Sequence, residues 1–411
     1  MGGLHDRLRG GSAPVVPRPD VSTDALSPRL RRSSVGSPGP TVVLVGGLHG
    51  NEPAGPRAIA SVLARIEADR RGLRGEVIGL TGNRAALRVG RRYLGRDLNR
   101  RWLPADIREL VAPGSARREP EDDEQRELLA ELGPLLAEAR EPIVFLDLHS
   151  TSGAGPPFSC MADVLRNRKI AFALPIPVIL GIEEILEGAL LGWLCDLGHV
   201  AVAVEGGQSD DPRTVQNHEA AIWLCLVASG VLRPGDVPGL GAHRDVLAAA
   251  ARGLPAVIEI RHRHLVRKGD EFAMAPGFAG FDRVARGQVV AHDRSGPLRA
   301  PVGGLMLMPR YQGQGEDGYF LARPVAKSWL RVSALLRHLR VDRLTSLLPG
   351  VKRDPLEADC YLADPRVARF QVRNVFHLLG FRHERTRGDA LVFARRRPGF
   401  RGLQPLPPEL R

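Results

Sequence analysis

Cysteine is scarce in this chain. Cys160, Cys195, Cys225 and Cys360 are the only four in 411 residues, and none forms a CxxC pair. That spacing argues against a disulfide framework and a structural zinc cluster, so buried free thiols are expected. Long apolar runs are also missing. Spanning a bilayer takes roughly eighteen or more consecutive apolar residues, whereas the run from Val42 to Val45 is only strand-sized. The N-terminus has no apolar signal-peptide core, since Arg31 and Arg32 are followed by Ser, Gly and Pro. A cytoplasmic protein with no membrane partner is expected. Lysine contributes only four of the 58 Lys and Arg residues, and aromatics make up 5% of the chain. The net charge of +12 and the pI of about 10.4 are therefore an arginine effect spread along the sequence. The densest clusters, Arg91-Arg92 with Arg96, Arg100-Arg101 and Arg395-Arg396-Arg397, lack the interleaved aromatics that would stack on bases. No nucleic-acid partner is expected; such a binder would show steeply salt-dependent affinity.

What is present is an alternation of strand and helix patterns. Residues 1–39 are rich in Pro, Gly, Ser and Arg without hydrophobic periodicity, and read as a disordered leader. Val42-Val43-Leu44-Val45 is a continuous apolar run, as in a strand covered on both faces of a parallel sheet. Helical periodicity follows from about Pro53 to Ile66, then over 122–139, 182–194 and 218–228, while 76–80, 143–148 and 200–204 read as strands. This order predicts a three-layer α/β/α domain with a mainly parallel mixed sheet over 40–240. Beyond it, short strand-like pieces at 255–266, 287–292 and 305–308 predict a small β-rich domain over 241–324. Residues 325–411 read as an accessory extension.

Three polar clusters each follow an apolar strand: Gly46-Gly47-Leu48-His49-Gly50-Asn51-Glu52, Asp147-Leu148-His149-Ser150-Thr151, and Val204-Glu205-Gly206-Gly207. In parallel sheets, ligands gather at the carboxyl ends of the strands. Two histidines and one glutamate form the ligand set of a catalytic zinc, with a fourth position left to water. His49, Glu52 and His149 are therefore the candidate metal ligands for one Zn²⁺ per chain. Such chemistry also needs a separate carboxylate to move protons, and Glu205 is the candidate. Taken singly, His49 reads as a loop residue and His149 as a residue at a strand end. The joint occurrence of all three clusters raises the metal reading above these alternatives.

The motifs GGLHGNE, RRYLGRDLNR, FLDLHSTSG and VAVEGG, in this order and approximate spacing, resemble the succinylglutamate desuccinylase and aspartoacylase family, which belongs with the zinc metallocarboxypeptidases. The resemblance covers roughly residues 41–324. It implies His49, Glu52 and His149 as zinc ligands and Glu205 as general base and acid. It further implies Arg92 as the residue that polarises the scissile carbonyl, Asn99 and Arg100 as the pair that holds a substrate carboxylate, and Asp97 as the acid orienting a ligating imidazole. For Asp147 a structural hydrogen bond at the strand end is expected. The segments around Phe278 to Phe281, Ala300 to Gly304 and Leu307 to Tyr311 resemble the family's C-terminal β-domain. Tyr311 is a candidate substrate contact, with a buried structural tyrosine as the alternative. His262 and His264 are expected to be solvated or packed rather than to form a second metal site.

One departure bears on specificity. If no gap intervenes, Cys195 falls where aspartoacylase has an arginine for the aspartate side chain, which disfavours a dicarboxylic amino acid. The expected activity is zinc-dependent hydrolysis of the amide of an N-acyl amino acid or a similar small carboxylate. A metallocarboxypeptidase acting on small peptides, and a non-catalytic binding module of the same fold, are the rival readings. Either a monomer or a homo-oligomer is compatible with the sequence.

Overall fold

The computed structural model describes residues 29–34, 36–70, 72–355, 357, 360–364, 366–367 and 372–396. Its centre is an eleven-stranded sheet. The strands are β1 (Arg29–Ser34), β2 (Thr41–Gly46), β3 (Glu76–Thr81), β4 (Val144–Thr151), β5 (Phe158–Cys160), β6 (Val178–Leu180), β7 (Val200–Gln208) and β8 (Val257–Leu265). They continue with β9 (Ala273–Met274), β10 (Arg283–Val284), β11 (Val289–Asp293), β12 (Gly296–Arg299), β13 (Gly304–Leu307) and β14 (Asp317–Pro324). The order across the large sheet is β1-β3-β2-β4-β7-β5-β6-β8-β14-β13-β10, while β12, β11 and β9 form a separate small sheet.

The heart of the sheet is β3-β2-β4-β7, all parallel. Val42 to Val45 are fully buried, because each pleat of β2 is covered from both sides. Even-numbered residues of β2 and β4 face a core filled by α1 (Ala54–Ala68) and α8 (Pro212–Ser229). Odd-numbered residues face a second core filled by α3 (Pro104–Val111), α4 (Pro120–Glu138) and α7 (Leu190–Asp196). The period of two in a strand thus sorts the apolar side chains into the two faces of a three-layer sandwich, as expected from the sequence.

Four features differ from expectation. Arg29–Ser34, assigned to the leader, is a strand that pairs antiparallel with β3. A backbone ladder needs no apolar pattern, so this polar edge strand left no periodic signal; residues 1–28 of the expected leader lie outside the described residues. The β-rich region does not begin a new sheet either. β8 pairs parallel with β6 and antiparallel with β14, so β8, β14, β13 and β10 lengthen the central sheet. The expected helix over 182–194 is two pieces, Ile182–Ile185 and α7. Gly188 breaks it with φ +72°, and a Cβ there would lie 2.4 Å from the carbonyl oxygen of Arg100. Finally, Leu240–Ala250 is a helix, although it buries only Leu247 and shows little apolar pattern.

Residues 325–396 build a module on the rim of the sandwich. Helix Lys327–His338 leads into a four-stranded antiparallel sheet made of Val351–Arg353, Cys360–Ala363, His383–Arg387 and Ala390–Ala394. Its core includes Tyr361, Phe376, Phe381 and Phe393. The module is docked through buried charge: Asp163 accepts hydrogen bonds from Arg168, from Arg337 at 2.7 Å and from Arg382 at 2.9 Å. Burial pushes the Asp163 carboxyl up, but Arg337, Arg382 and Arg168 outweigh it and hold the group well below the ordinary carboxylate range.

Candidate metal centre and active site

His49 and Glu52 sit on the loop between β2 and α1, at the carboxyl edge of the sheet. The loop is compact because Gly50 lies against the chain at Ala86 and Arg91, where a Cβ would meet backbone atoms 2.2–2.5 Å away. The Gly50 N–H donates to the carbonyl of Arg92 at 3.0 Å, and the Glu52 N–H donates to the carbonyl of His49 at 3.1 Å. Asp147 and His149 lie two residues apart on β4 and so share one face. Glu205 of β7 stands in register with His149.

These placements converge. His49 Nδ1 lies 2.9 Å from Glu52 Oε1, and His149 Nδ1 lies 3.0 Å from Glu52 Oε2. One ligand atom from each of the three residues falls within 4.8 Å of the others, all three residues are buried, and no other such metal-binding group occurs among the described residues. Behind the histidines stand two more carboxylates: His49 Nε2 is 3.1 Å from Asp97 Oδ1, and His149 Nε2 is 2.9 Å from Asp147 Oδ2. A proton on each Nε2 satisfies these acceptors, while each Nδ1 faces Glu52, donating to it when protonated and offering its lone pair to a metal when not. Arg92 Nη2 also approaches His49 Nε2, at 2.8 Å, but a guanidinium only donates; Asp97 is the acceptor that fits the tautomer. Asp147 thus does more than the structural hydrogen bond expected of it: it is fully buried and backs the His149 ring.

The electrostatics follow from this crowding. Burial pushes the Glu52 carboxyl up, yet the charges and hydrogen bonds of His49 and His149 prevail and hold it well below its ordinary value. Burial alone would lower the pKa of His149, but Asp147 and Glu52 raise it well above the usual imidazole range. The donor set of two imidazole nitrogens and one carboxylate oxygen suits a divalent transition metal. Glu205 behaves oppositely. Its Oε2 is buried without a hydrogen-bond partner. Burial, with the Glu52 charge adding to it and His149, His49 and Arg92 partly offsetting it, pushes its carboxyl up to about 7.

The RRYLGRDLNR loop is organised by Glu121 at the start of α4, which the sequence reading missed. Glu121 accepts the N–H groups of Leu94, Gly95 and Arg96 and the side chain of Asn83. Its signal was present as a carboxylate in the first turn of a helix. Within the loop, Asp97 accepts from Arg92 Nε at 3.2 Å and from the Asn99 N–H at 2.9 Å. Burial would raise Asp97, but Arg92 and His49 hold it well below its ordinary value. Arg92, Asn99 and Arg100 all line the pocket that contains the centre. Arg100 Nη2 donates to Asp317 Oδ2 at 3.0 Å, and Asn99 Oδ1 accepts the Leu190 N–H at 2.9 Å.

A roof over the pocket comes from β13, β14 and the turn between them. Met308, Arg310, Gln312, Gly315, Asp317 and Phe320 line it from above. Asn51, beside the candidate metal ligands, donates to Gln312 Oε1 at 2.6 Å, tying roof to floor. Tyr311 is not among the lining residues: it is 43% exposed, and its hydroxyl donates to the carbonyl of Ala275 at 2.9 Å, holding the roof's own turn. Its neighbour Arg310 faces the pocket instead. All four cysteines are buried free thiols. Cys195 is packed beside Arg166 and Asn167 and does not line the pocket. His264 stacks on Tyr319 and Phe272, and His262 packs on Tyr319.

Residues 38–167, which carry His49, Glu52, Arg92, Asp97, Asn99, Arg100 and His149, match the succinylglutamate desuccinylase/aspartoacylase catalytic domain. This segment is similar to that family's catalytic domain. Among solved structures, the desuccinylase/aspartoacylase fold recurs in a succinylglutamate desuccinylase/aspartoacylase from Rhodobacter sphaeroides, with 20% identity, a TM-score of 0.51, and coverage of 70% of this chain and 87% of that one. A succinylglutamate desuccinylase from Vibrio cholerae aligns at 17% identity and a TM-score of 0.49, covering 70% and 82%. An ectoine utilization protein from Ruegeria pomeroyi, solved with product bound, aligns at 19% and 0.48, covering 70% and 86%. No curated protein matches the sequence. Glu205 lies beyond the matched segment of the desuccinylase/aspartoacylase domain, and its placement beside the centre comes from the β4–β7 ladder. Among the described residues no helix is long and apolar enough to cross a membrane.

Proposed function

We propose that this protein is a zinc-dependent amide hydrolase that cleaves an N-acyl amino acid, or a similarly small carboxylate, into a carboxylic acid and a free amine. The observation that carries this reading is the convergence of His49, Glu52 and His149 with a separate, partnerless carboxylate, Glu205, across one parallel ladder. The donor set fits zinc: two imidazoles, each with a carboxylate behind its second nitrogen, and Glu52 between them. When bound there, zinc lowers the pKa of a water towards neutrality and polarises a carbonyl oxygen.

The chain's own residues account for the remaining needs. Glu205, poised at about 7, takes a proton from the attacking water and delivers it to the departing nitrogen. Arg92, held in place by Asp97, supplies fixed positive charge where the carbonyl oxygen becomes anionic. Arg100 and Asn99 receive the substrate carboxylate, with Arg100 exchanging Asp317 for it. The roof from β13 and β14 favours a small ligand over a peptide laid along a groove.

The test is amine release from a panel of N-acyl amino acids by the full-length, zinc-reconstituted protein. Turnover with one zinc per chain, abolished by a chelator and restored by zinc, is expected. Stoichiometric zinc binding without hydrolysis of any such amide would overturn the reading.

A further inference from the structure

The pocket contains one buried carboxylate that neither the metal centre nor the proton transfer uses. Glu183 lines the pocket, is only 7% exposed, and has its Oε2 buried without a hydrogen-bond partner. The same pocket has an apolar part of its lining, with Ile182, Leu186, Ala189 and Leu191 from the neighbouring sequence and Phe320 from the roof. Burying an uncompensated carboxylate costs several kcal/mol, so an unpaired one facing a ligand pocket calls for a ligand that compensates it.

The cations nearby are held by other acceptors, with only Arg396 Nε buried without a partner. Arg396 reaches in from the C-terminal module, but it donates to the Gly192 carbonyl at 2.7 Å, to Asp196 at 3.0 Å and to the main-chain carbonyl of Glu183 at 3.2 Å. Arg100 is held by Asp317, which also takes Arg263 Nε at 2.6 Å. The other carboxylates within electrostatic reach, Glu184 and Asp147, repel Glu183. Burial, only partly offset by Arg396, together with these two neighbours pushes the Glu183 carboxyl up to about 7.

Glu183 is also fixed relative to the carboxylate clamp. The Leu190 N–H donates to Asn99 Oδ1 at 2.9 Å, the Trp102 N–H donates to the Gly188 carbonyl at 3.0 Å, and Arg263 Nη1 donates to the Ile185 carbonyl at 3.0 Å. The segment carrying Glu183 is thus stitched to the turn carrying Asn99 and Arg100. Arg100 and Glu183 line the same pocket and lie within electrostatic reach of each other.

We infer that Glu183 is a specificity-determining residue that receives a cationic amino group on the amino-acid half of the substrate, so that the preferred substrate is an N-acyl diamino acid. This rests on the amide-hydrolase reading above. An ammonium group supplies the hydrogen bond that Oε2 lacks and adds to the positive charge that Arg396 and Arg100 only partly provide, and its alkyl stem packs against the apolar lining. A dicarboxylic amino acid would place a second anion against Glu183.

The experiment uses the full-length, zinc-loaded protein at pH 8, comparing Nα-acetyl-lysine and Nα-acetyl-ornithine with the neutral Nα-acetyl-norleucine and the acidic Nα-acetyl-glutamate. The cationic substrates should show kcat/KM about ten- to a hundredfold above norleucine, carried mainly by KM, as expected for a charge-assisted contact in a buried site. Glu183→Gln should bring that ratio close to one. A wild-type preference for the neutral or acidic substrate overturns the inference without any variant, as does a cationic preference that survives Glu183→Gln. Failure of the wild type on all four substrates would instead sink the hydrolase reading. In that case calorimetric titration with free lysine and norleucine decides separately: lysine-selective binding lost in Glu183→Gln upholds the role of Glu183, and equal binding of the two amino acids overturns it.

Discussion

At the metal corner of the pocket, both nitrogens of His49 and of His149 face a carboxylate; at the recognition corner, Glu183 has a buried oxygen that faces no partner. The first corner is arranged to hold a cation in one geometry, and its two backing carboxylates fix the rings before any ligand arrives. The second is left unbalanced, and its balance has to come from the substrate.

The largest expected effect breaks the first corner outright. His149→Ala removes a ligand donor and leaves Asp147 and Glu52 facing each other, so zinc content should fall to background and activity by about a thousandfold or more. Metal analysis beside the hydrolysis assay checks this; retained zinc would move the metal elsewhere. Glu205→Gln should lower kcat by about 10²–10⁴ while zinc content stays at one per chain, because Glu205 stands beside the ligand set and outside it. Loss of zinc in that variant would reassign Glu205 as a ligand. Asp147→Asn keeps the shape but weakens the acceptor behind His149, and should reduce zinc affinity by about ten- to a hundredfold in a chelator competition. An unchanged affinity would return Asp147 to a purely structural role.

The smallest expected effect sharpens the second corner through stability. The Glu183 carboxyl is raised from 4.5 to about 7, so between those pH values the folded protein binds a proton that the unfolded chain has released. The contribution of this group to stability is therefore most favourable below about pH 4.5 and is lost as pH rises through 7. Glu183→Gln should stabilise the ligand-free protein at pH 8, on the order of 1–3 kcal/mol, and change little at pH 5. Thermal unfolding at the two pH values checks this, and equal shifts at both would show that Glu183 is compensated in the fold.

Much of this arrangement was legible in the sequence, for identifiable reasons. The apolar runs at Val42 and Ile143 and the polar clusters that follow them announce parallel strands opening at one edge, and the fold brings His49, Glu52, His149 and Glu205 together there. Contacts made by backbone were not legible. The polar strand Arg29–Ser34 has no periodicity to detect, and β8 and β14 join the central sheet through ladders that no local pattern reports. Glu183 was hidden for a related reason. Within the pattern of residues 182–194 it reads as a solvated helix position, and only the break at Gly188 turns its segment into the pocket. Cys195, which spacing alone offers as the specificity position, packs into the core of the sandwich instead.

The C-terminal module carries one more consequence. Asp163 sits within the family's catalytic segment, yet two of its three guanidinium partners, Arg337 and Arg382, come from beyond residue 325. Cutting the chain after Pro324 would therefore not return a simpler enzyme. It would leave a buried carboxylate with Arg168 alone, a loss that in buried pairs costs about 3–5 kcal/mol. Removal is not the reverse of attachment: a catalytic segment whose buried charge is balanced from outside it is stable only together with the module that balances it.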